Sequence, residues 1–253
     1  MKKKTGISAI IPTFNEALNI EAAIRSVDFA DEVIVIDSYS TDHTVKLASK
    51  HNVRLIQRVF DDFSSQKNHA IALAENDWVF ILDADERVPK ALKEEVLQTV
   101  KNKTETVAYW IYRTTFYMAK KMKYSGLQNN KVIRLFKKDV CRYDGRLVHE
   151  EIETKGDVGF LTNKISHDPY NGIDRIIQKR NKYAQFQAQA LFNQGKRPNV
   201  FHFLMKPTFR FIKHYFIQAG FLDGFQGFIV AYIHSYTVFM RYVKLWLLHH
   251  NLK

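Results

Sequence analysis

Four short apolar runs, each followed by a helical pattern, dominate the first hundred residues of this 253-residue chain. The apolar runs are residues 7–11, 33–36, 53–56 and 79–82. The helical patterns that follow them end near Val27, His51, Glu75 and Val100. Short apolar runs without clear alternation are typical of strands buried on both faces. Repeated strand–helix units therefore predict an α/β fold, with a parallel sheet covered by helices.

Polar clusters directly follow three of these runs, at residues 12–16, 37–42 and 83–86. In such a sheet they would share the carboxyl edge, where nucleotides bind. Asp83 and Asp85 are two residues apart, so their side chains would point the same way on an extended chain. Paired carboxylates suit Mg²⁺ or Mn²⁺ carrying a phosphorylated substrate. The alternative is that the acids at 85 and 86 cap the helix that begins near Pro89.

The pattern changes after residue 105. The pattern predicts strands of a mixed sheet at residues 107–115, 131–136 and 147–153. This part of the sheet would build the side of the site where an acceptor substrate binds. Helical patterns then occupy residues 173–193 and about 200–220 and 225–248. No run in this last third reaches about 18 apolar residues, which argues against a membrane-spanning helix.

Composition excludes several classes of protein. Hydrophobic residues make up 46% of the chain, which is enough for a real core and excludes disorder. One cysteine, Cys141, excludes a disulfide framework and a cysteine-rich zinc site. The first apolar run is broken by Pro12 and Asn15 and does not resemble a signal peptide, so we expect a cytoplasmic protein.

Positive charge is concentrated in the last third of the chain. The whole chain carries +12, and the residues from Tyr170 onward hold 12 Lys and Arg against 2 Asp and Glu. The same segment holds 18 of the 34 aromatic residues. A basic, aromatic-rich segment can bind nucleic acid or an anionic membrane surface.

Several motifs together resemble one family. They are Ile-Ile-Pro-Thr-Phe-Asn-Glu (10–16), Val-Ile-Asp-Ser-Tyr-Ser-Thr-Asp-His-Thr (35–44), Gln-Lys-Asn (66–68), Leu-Asp-Ala-Asp-Glu (82–86), Val-His-Glu (148–150) and Gly-Phe-Leu-Asp-Gly (220–224). The sequence resembles family 2 glycosyltransferases of the GT-A fold. More narrowly, it is similar to bacterial lipopolysaccharide core glucosyltransferases that add glucose to inner-core heptose. The resemblance implies a Rossmann-like nucleotide-sugar-binding domain at 1–170. A helical, basic and aromatic-rich extension at 171–253 would associate with a membrane or form oligomers.

The resemblance implies a set of donor-binding residues at the ends of the strands. Glu16 would accept hydrogen bonds from ribose, although a helix capped by Asn15 explains the same stretch. Asp37 would bind the uracil ring, since a buried carboxylate without a partner is costly, and the alternative is a solvated loop acid. Lys67 would pair with the diphosphate or remain a solvated helix residue. The full predicted set is Pro12, Thr13, Glu16, Asp37, Lys67, Asp83 and Ala84.

The resemblance also implies a metal site and a base. Asp83 and Asp85 would hold a divalent metal (Mg or Mn) that bridges the two phosphates, with His167 as a third ligand or as a structural histidine. Glu150 would take the proton of the acceptor hydroxyl, with Glu151 as the fallback. A single displacement would invert the anomeric centre. Two further basic residues, Arg113 and Arg134, would contact phosphate or simply carry surface charge.

The function implied is therefore a metal-dependent inverting hexosyltransferase. It would move glucose from UDP-glucose to a heptose of the lipopolysaccharide inner core, as a peripheral protein on the cytoplasmic face of the inner membrane. Its partners would be a UDP-hexose, a lipid-linked saccharide acceptor and the anionic membrane surface. Exposed aromatic residues could also form the interface of a homo-oligomer. The positive charge is confined to the last third of the chain, which argues against nucleic-acid binding. The alternatives are transfer to a polyprenyl-phosphate acceptor and a non-catalytic nucleotide-sugar or membrane-binding module.

Overall fold

The structure is a computed structural model that describes residues 6–102, 104–127, 129–145, 151–169 and 172–252. The strands are β1 (Ile7–Thr13), β2 (Glu32–Asp37), β3 (Arg54–Gln57), β4 (Trp78–Ile81), β5 (Glu86–Arg87), β6 (Ala108–Tyr117), β7 (Lys120–Lys121), β8 (Lys131–Lys137), β9 (Cys141–Tyr143), β10 (Ile152–Thr154), β11 (Val158–Phe160) and β12 (Ile165–His167). The helices are α1 (Ile20–Ser26), α2 (Thr44–Ala48), α3 (Phe63–Leu73), α4 (Lys90–Lys101), α5 (Ile173–Asn193), α6 (Val200–Ile212) and α7 (Gly224–His249). A π-helical turn (Lys213–Ile217) and a 3₁₀ turn (Gly220–Asp223) lie between α6 and α7.

The chain divides into two compact units. The first comprises Met1–Thr114 and Asn130–Asp168, and the second comprises Thr115–Asn129 and Pro169–Lys253. The sequence assigns residues 115–129 to the catalytic domain, but they pack within the second unit instead. Within this segment, β7 pairs antiparallel with the end of β6 and forms a hairpin.

The sheet of the first unit has the order β3-β2-β1-β4-β8-β6, followed by β12 and β5. Strands β1 to β4 are parallel, as the alternation of strands and helices along the chain predicts. Strand β8 then runs antiparallel to both β4 and β6, so the second half of the sheet is mixed. The predicted α/β fold and mixed-sheet region are confirmed. The predicted strand at 147–153 falls largely outside the described residues, and β10 begins at Ile152.

Alternate residues of β1 pack on opposite faces of the sheet. Ile7, Ala9 and Ile11 lie in a core shared with α1, α2 and α4. Ile10 faces the other core, together with Ala70 of α3. Both faces are fully covered, which is why the strands read as unbroken apolar runs.

Strand order brings three polar loops to one edge. Strand β1 lies between β2 and β4, and Thr13 is in register with Asp37. The amide of Leu82 donates to the carbonyl of Ile10 at 2.9 Å, so the chain after β4 continues beside the end of β1. The sheet is built outward in both directions from β1, and such a switch point is where open α/β sheets bind ligands.

The second unit is built mainly from α5, α6 and α7, with α7 packed against both other helices. Its turn at 220–224 is held by Asp223, which is 2% exposed and accepts hydrogen bonds from the amides of Lys123 and Tyr124. A Cβ atom on Gly227 would collide with the carbonyl oxygen of Gly220, so glycine permits this close packing. The 220–224 motif thus has a structural role.

A helix that crosses a membrane must be both long enough and apolar enough to span the bilayer. No single described helix meets both requirements. One bent pair, Val200–Ile217 with Gly220–His249, meets them when taken together, with an angle of 69° between its parts.

Candidate active site at the carboxyl edge of the sheet

A tight turn follows β4 and positions the acidic cluster. The amide of Glu86 donates to the carbonyl of Asp83 at 2.9 Å, and the Glu86 carboxylate accepts from the Asp83 amide at 3.0 Å. The side chain of Glu86 is fully buried. Helix α4 begins at Lys90 without a side-chain cap. Glu86 therefore binds within its own turn, and the capping alternative is wrong for Glu86.

Two arginines bind this acidic turn, of which Arg134 is buried and Arg113 is half-buried. Arg134 donates to Glu86 at 2.9 Å and also to Asp83. Arg113 donates through Nε to Glu86 at 2.6 Å and lies 3.4 Å from the Asp83 carboxylate through Nη2. Arg134 is 2% exposed, so the interpretation of these arginines as surface charge is wrong. They were detectable in the sequence as charges inside the apolar strands β6 and β8.

The arginines set the charge state of the acidic turn. Burial alone would raise the pKa of Asp83, but the positive charges of Arg134, Lys67 and Arg113 outweigh it and hold the pKa well below its usual range. Burial likewise opposes the charge of Arg134, but Asp83 and Glu86 raise its pKa. Asp83 and Arg134 are therefore both ionised at neutral pH.

Lys67 belongs to the same electrostatic cluster. It lies in α3, whose first turn is capped by the Asp62 carboxylate accepting from the Ser65 amide at 2.8 Å. Lys67 is only 6% exposed, so the solvated-lysine alternative is wrong. Its Nζ atom is 4.0 Å from Asp83 and 4.9 Å from the ring centroid of Tyr143. Three cations, Arg113, Arg134 and Lys67, therefore lie beside the carboxylates of Asp83 and Glu86.

Asp85 points away from this cluster and meets His167. Strand β12 pairs with β5 so that His167 lies opposite Glu86. This pairing brings His167 Nε2 to 3.6 Å from Asp85 Oδ2. The amide of Asp168 also donates to the Asp85 carbonyl at 3.0 Å. Asp85 is 8% exposed and His167 is half-buried, so two metal-binding groups from distant parts of the chain converge here.

The predicted set of three metal ligands does not converge. Within the described ranges, no group of three or more Asp, Glu, His or Cys side chains is placed to hold a metal ion. Asp83 does not join Asp85 and His167, because its carboxylate is bound by Arg134 and Arg113. Asp85 and His167 still fit a divalent cation, since such ions commonly take one or two protein ligands and complete their shell with phosphate oxygens and water.

Asp37 is buried at the end of β2 and already has partners. Its carboxylate accepts hydrogen bonds from the amide and hydroxyl of Ser40 and, at 3.2 Å, from Gln57. It is fully buried, so the solvated-loop alternative is wrong. The argument that an unpartnered carboxylate demands a ligand also fails. Its uracil-binding role stays a prediction.

The loop after β1 is tied to the loop after β2. Asn15 has a positive φ of 54°, and its side chain accepts from the Thr41 amide at 2.8 Å. The residue before α1 is Asn19, so the prediction that Asn15 caps this helix is wrong. Glu16 accepts from the Asn19 side chain at 2.7 Å. These contacts hold Glu16 at the sheet edge, where a nucleotide would bind.

The remaining predicted residues are two at the end of β1, Ala84 in the acidic turn and the two candidate bases. Pro12 and Thr13 end β1, and the Thr13 hydroxyl is buried without a hydrogen-bond partner among the described residues. Ala84 is buried within the acidic turn. Glu150 lies outside the described residues, and Glu151, the fallback base, is exposed. The identity of the base stays a prediction.

Comparison with known proteins identifies the family. The sequence model of glycosyl transferase family 2 matches residues 8–150, which is more than half of the chain. The chain belongs to glycosyltransferase family 2. A glycosyltransferase of Rickettsia bellii (strain RML369-C), described as uncharacterized, is 33% identical over 94% of this chain and 85% of its own length.

Two further proteins are similar to this family 2 glycosyltransferase. The lipopolysaccharide core biosynthesis glycosyltransferase LpsC of Rhizobium meliloti (strain 1021) is 28% identical over 98% of this chain and 95% of its own length. The crystal structure of glucosyl-3-phosphoglycerate synthase from Mycobacterium tuberculosis, in complex with Mn²⁺, UDP and phosphoglyceric acid, has a TM-score of 0.48. It is 18% identical and covers 79% of this chain and 81% of its own.

Proposed function

We propose that this family 2 glycosyltransferase transfers glucose from UDP-glucose to a heptose of the lipopolysaccharide inner core. The transfer would invert the anomeric centre, depend on Mg²⁺ or Mn²⁺, and take place at the cytoplasmic face of the inner membrane. The closeness of Asp85 and His167 beyond the end of β4 supports this proposal, because these side chains could bind a metal and they lie at the switch point of the sheet.

When bound, a divalent metal would supply Lewis-acid stabilisation of the charge that develops on the departing diphosphate. Asp85 and His167 would hold it. Lys67 lies on the same edge and contributes a buried positive charge beside Asp83. The acceptor hydroxyl must lose its proton as it attacks, and Glu150 would accept that proton in a single displacement.

Similarity to LpsC, which is named for lipopolysaccharide core biosynthesis, supports the choice of acceptor. Such an acceptor is anchored in a membrane, so the enzyme must work at the membrane surface. The second unit carries exposed apolar residues in α6, the turns that follow it and α7: Phe201, Leu204, Phe209, Phe216, Phe221 and Phe225.

We propose that these exposed apolar residues dock on an anionic bilayer. Phe201, Leu204 and Met205 recur at helical spacing in α6, so they share one face of the helix. The chain from Tyr170 onward carries ten more positive than negative side chains. Each Lys or Arg near an anionic surface contributes about 1 kcal/mol to binding. Apolar insertion and charge attraction would then act together.

A donor screen tests the proposed reaction. Purified protein with Mn²⁺ is given UDP-glucose, UDP-galactose or ADP-heptose, and nucleotide release is measured with and without a heptose-containing acceptor. We expect the fastest acceptor-dependent release from UDP-glucose, and none from the Asp85→Asn variant. Faster release from ADP-heptose than from either UDP-sugar would contradict the donor assignment and the uracil role of Asp37.

A further inference from the structure

Lys67 and its neighbour Asn68 both contact residues that lie far away along the chain. Lys67 Nζ is 4.0 Å from the carboxylate of Asp83, at the carboxyl edge of the sheet. Asn68 binds the backbone of Tyr143 in β9, which is 75 positions further along. Lys67 Nζ also lies over the ring of that tyrosine, 4.9 Å from its centroid. The two helix residues and Tyr143 therefore form a closed set of contacts beside the acidic turn.

The side chain of Asn68 joins α3 to β9 through two hydrogen bonds. Its Nδ2 donates to the carbonyl of Tyr143 at 3.0 Å, and its Oδ1 accepts from the amide of Tyr143 at 2.9 Å. A primary amide carries both a donor and an acceptor, so it can satisfy both backbone groups of one residue. An ionised aspartate has only acceptors and could satisfy the amide alone. Asparagine at this position therefore fixes Tyr143 against the helix residue next to Lys67.

The ring of Tyr143 supports a buried positive charge. Lys67 and Tyr143 are each only 6% exposed. Burial of an ammonium group is costly, and the negative face of an aromatic ring offsets part of that cost. The carboxylate of Asp83 is shared with two arginines, Arg134 and Arg113. The ring holds the Lys67 ammonium without adding a negative charge, so the charge remains available to an anionic ligand.

Packing alone gives a simpler explanation for Tyr143. Its ring belongs to a buried apolar cluster that includes Ala70 and Ile71 of α3, and this accounts for its burial. Packing does not account for the two hydrogen bonds that Asn68 makes with its backbone. The two explanations also differ in their consequences. A packing role acts on stability alone, whereas a positioning role acts on a ligand through Lys67.

We propose that Asn68 and Tyr143 are positioning residues for the sugar-nucleotide donor. Asn68 fixes Tyr143, and the ring of Tyr143 holds the ammonium group of Lys67 beside Asp83, where it meets the diphosphate of the donor. An ammonium placed in advance loses less conformational freedom when a ligand binds, and so binds it more tightly. This inference rests on the proposed function, because the diphosphate is the ligand assigned to Lys67.

A double-mutant cycle tests the proposal, with UDP binding in the presence of Mn²⁺ measured by calorimetric titration. Tyr143→Leu should weaken binding about fivefold, and Asn68→Ala should also weaken it. Neither substitution should cause a further loss in the Lys67→Met background, because both act through Lys67. The conservative variant Tyr143→Phe keeps the ring and should restore the affinity, and Asn52→Ala is an exposed control. Equal losses in both backgrounds, or no loss from Tyr143→Leu, would overturn the proposal.

The NMR spectrum of the Lys67 side chain gives a second readout, which uses the wild-type protein and needs no nucleotide. The current of an aromatic ring shifts protons above its face upfield, so the ε-methylene resonance of Lys67 should lie upfield of that of the exposed Lys46. Lys67→Met identifies the resonance by its loss, and Asn68→Ala should move it toward the position of Lys46.

The two measurements separate this inference from the proposed reaction. A Lys67 resonance at the position of Lys46 in the wild type would overturn the positioning role, whatever the protein binds. An upfield resonance in a protein that does not bind UDP would support the positioning of Lys67 and contradict the proposed donor.

Discussion

Arg134 donates a hydrogen bond to Glu86 across 2.9 Å, and the two side chains are only 3% and 0% exposed. Arg113 shares the same carboxylate. The first prediction concerns this shared acid. The Glu86→Gln substitution leaves the guanidinium groups of buried Arg134 and half-buried Arg113 with Asp83 as their remaining carboxylate partner. We expect it to lower the free energy of unfolding by about 3 kcal/mol, measured in urea.

Glu94→Gln is the matched control for this measurement. Glu94 is 66% exposed and lies 4.0 Å from Lys90, one helical turn away. An exposed pair of this kind contributes at most about 1 kcal/mol. If both variants lost the same small amount of stability, the buried network would not be a major contributor to the fold.

The second prediction concerns pH. Positive neighbours lower the pKa of Asp83 in the folded protein relative to its unfolded value of about 3.9. The stability that ionised Asp83 contributes is therefore complete above about pH 4 and is lost as the pH falls further toward the folded value. The penalty of Asp83→Asn should be constant between pH 5 and pH 8 and shrink below about pH 4. A penalty that titrates between pH 6 and pH 8 would show that another group controls it.

The third prediction concerns Lys67, which adds the third positive charge beside Asp83. Lys67→Met should weaken UDP binding about tenfold, because a hydrogen bond to a charged group contributes roughly 1.5–3 kcal/mol. Calorimetric titration of UDP measures this loss. Lys46→Met, on the exposed side of α2, is the control and should bind UDP as tightly as the wild type. Equal affinity in all three proteins would remove Lys67 from the donor site.

The sheet and its functional edge could be predicted because apolar runs and strand–helix alternation are local signals. Residues Thr13, Asp37 and Asp83 follow from those signals, since each ends or closely follows a buried strand. The same reasoning does not predict that the side chain of Glu86 points into the protein interior. A Glu just before a proline-initiated helix looks like a capping residue until strand pairing shows what faces it.

The partners of the site residues could not be predicted, since they depend on contacts between distant segments. Arg113 and Arg134 are 27 and 48 positions from Glu86 along the chain. Only the pairing of β6 with β8 places them together. The sequence predicts the burial of Asp37 but not its hydrogen bonds to Ser40 and Gln57, which remove the need for a ligand.

The fourth prediction concerns the membrane. The double variant Phe209→Ser and Phe216→Ser should bind anionic vesicles at least about tenfold more weakly, because each buried aromatic side chain contributes about 1.5–3 kcal/mol. Cosedimentation with phosphatidylglycerol vesicles measures the change. Leu18→Ser with Val59→Ser alters residues of the first unit that are 77% and 72% exposed, and it should bind normally. Equal weakening in both double variants would mean that the second unit does not dock on the bilayer.

The central claim is that Asp85, together with His167, holds the metal that anchors the sugar nucleotide. Calorimetric titration of UDP-glucose with and without Mn²⁺ tests it most directly. Mn²⁺ should strengthen binding by at least about tenfold in the wild type and in Asp157→Asn, an exposed control, and should have no effect in Asp85→Asn. An Asp85→Asn protein that kept the full effect of Mn²⁺ on UDP-glucose binding would contradict the claim.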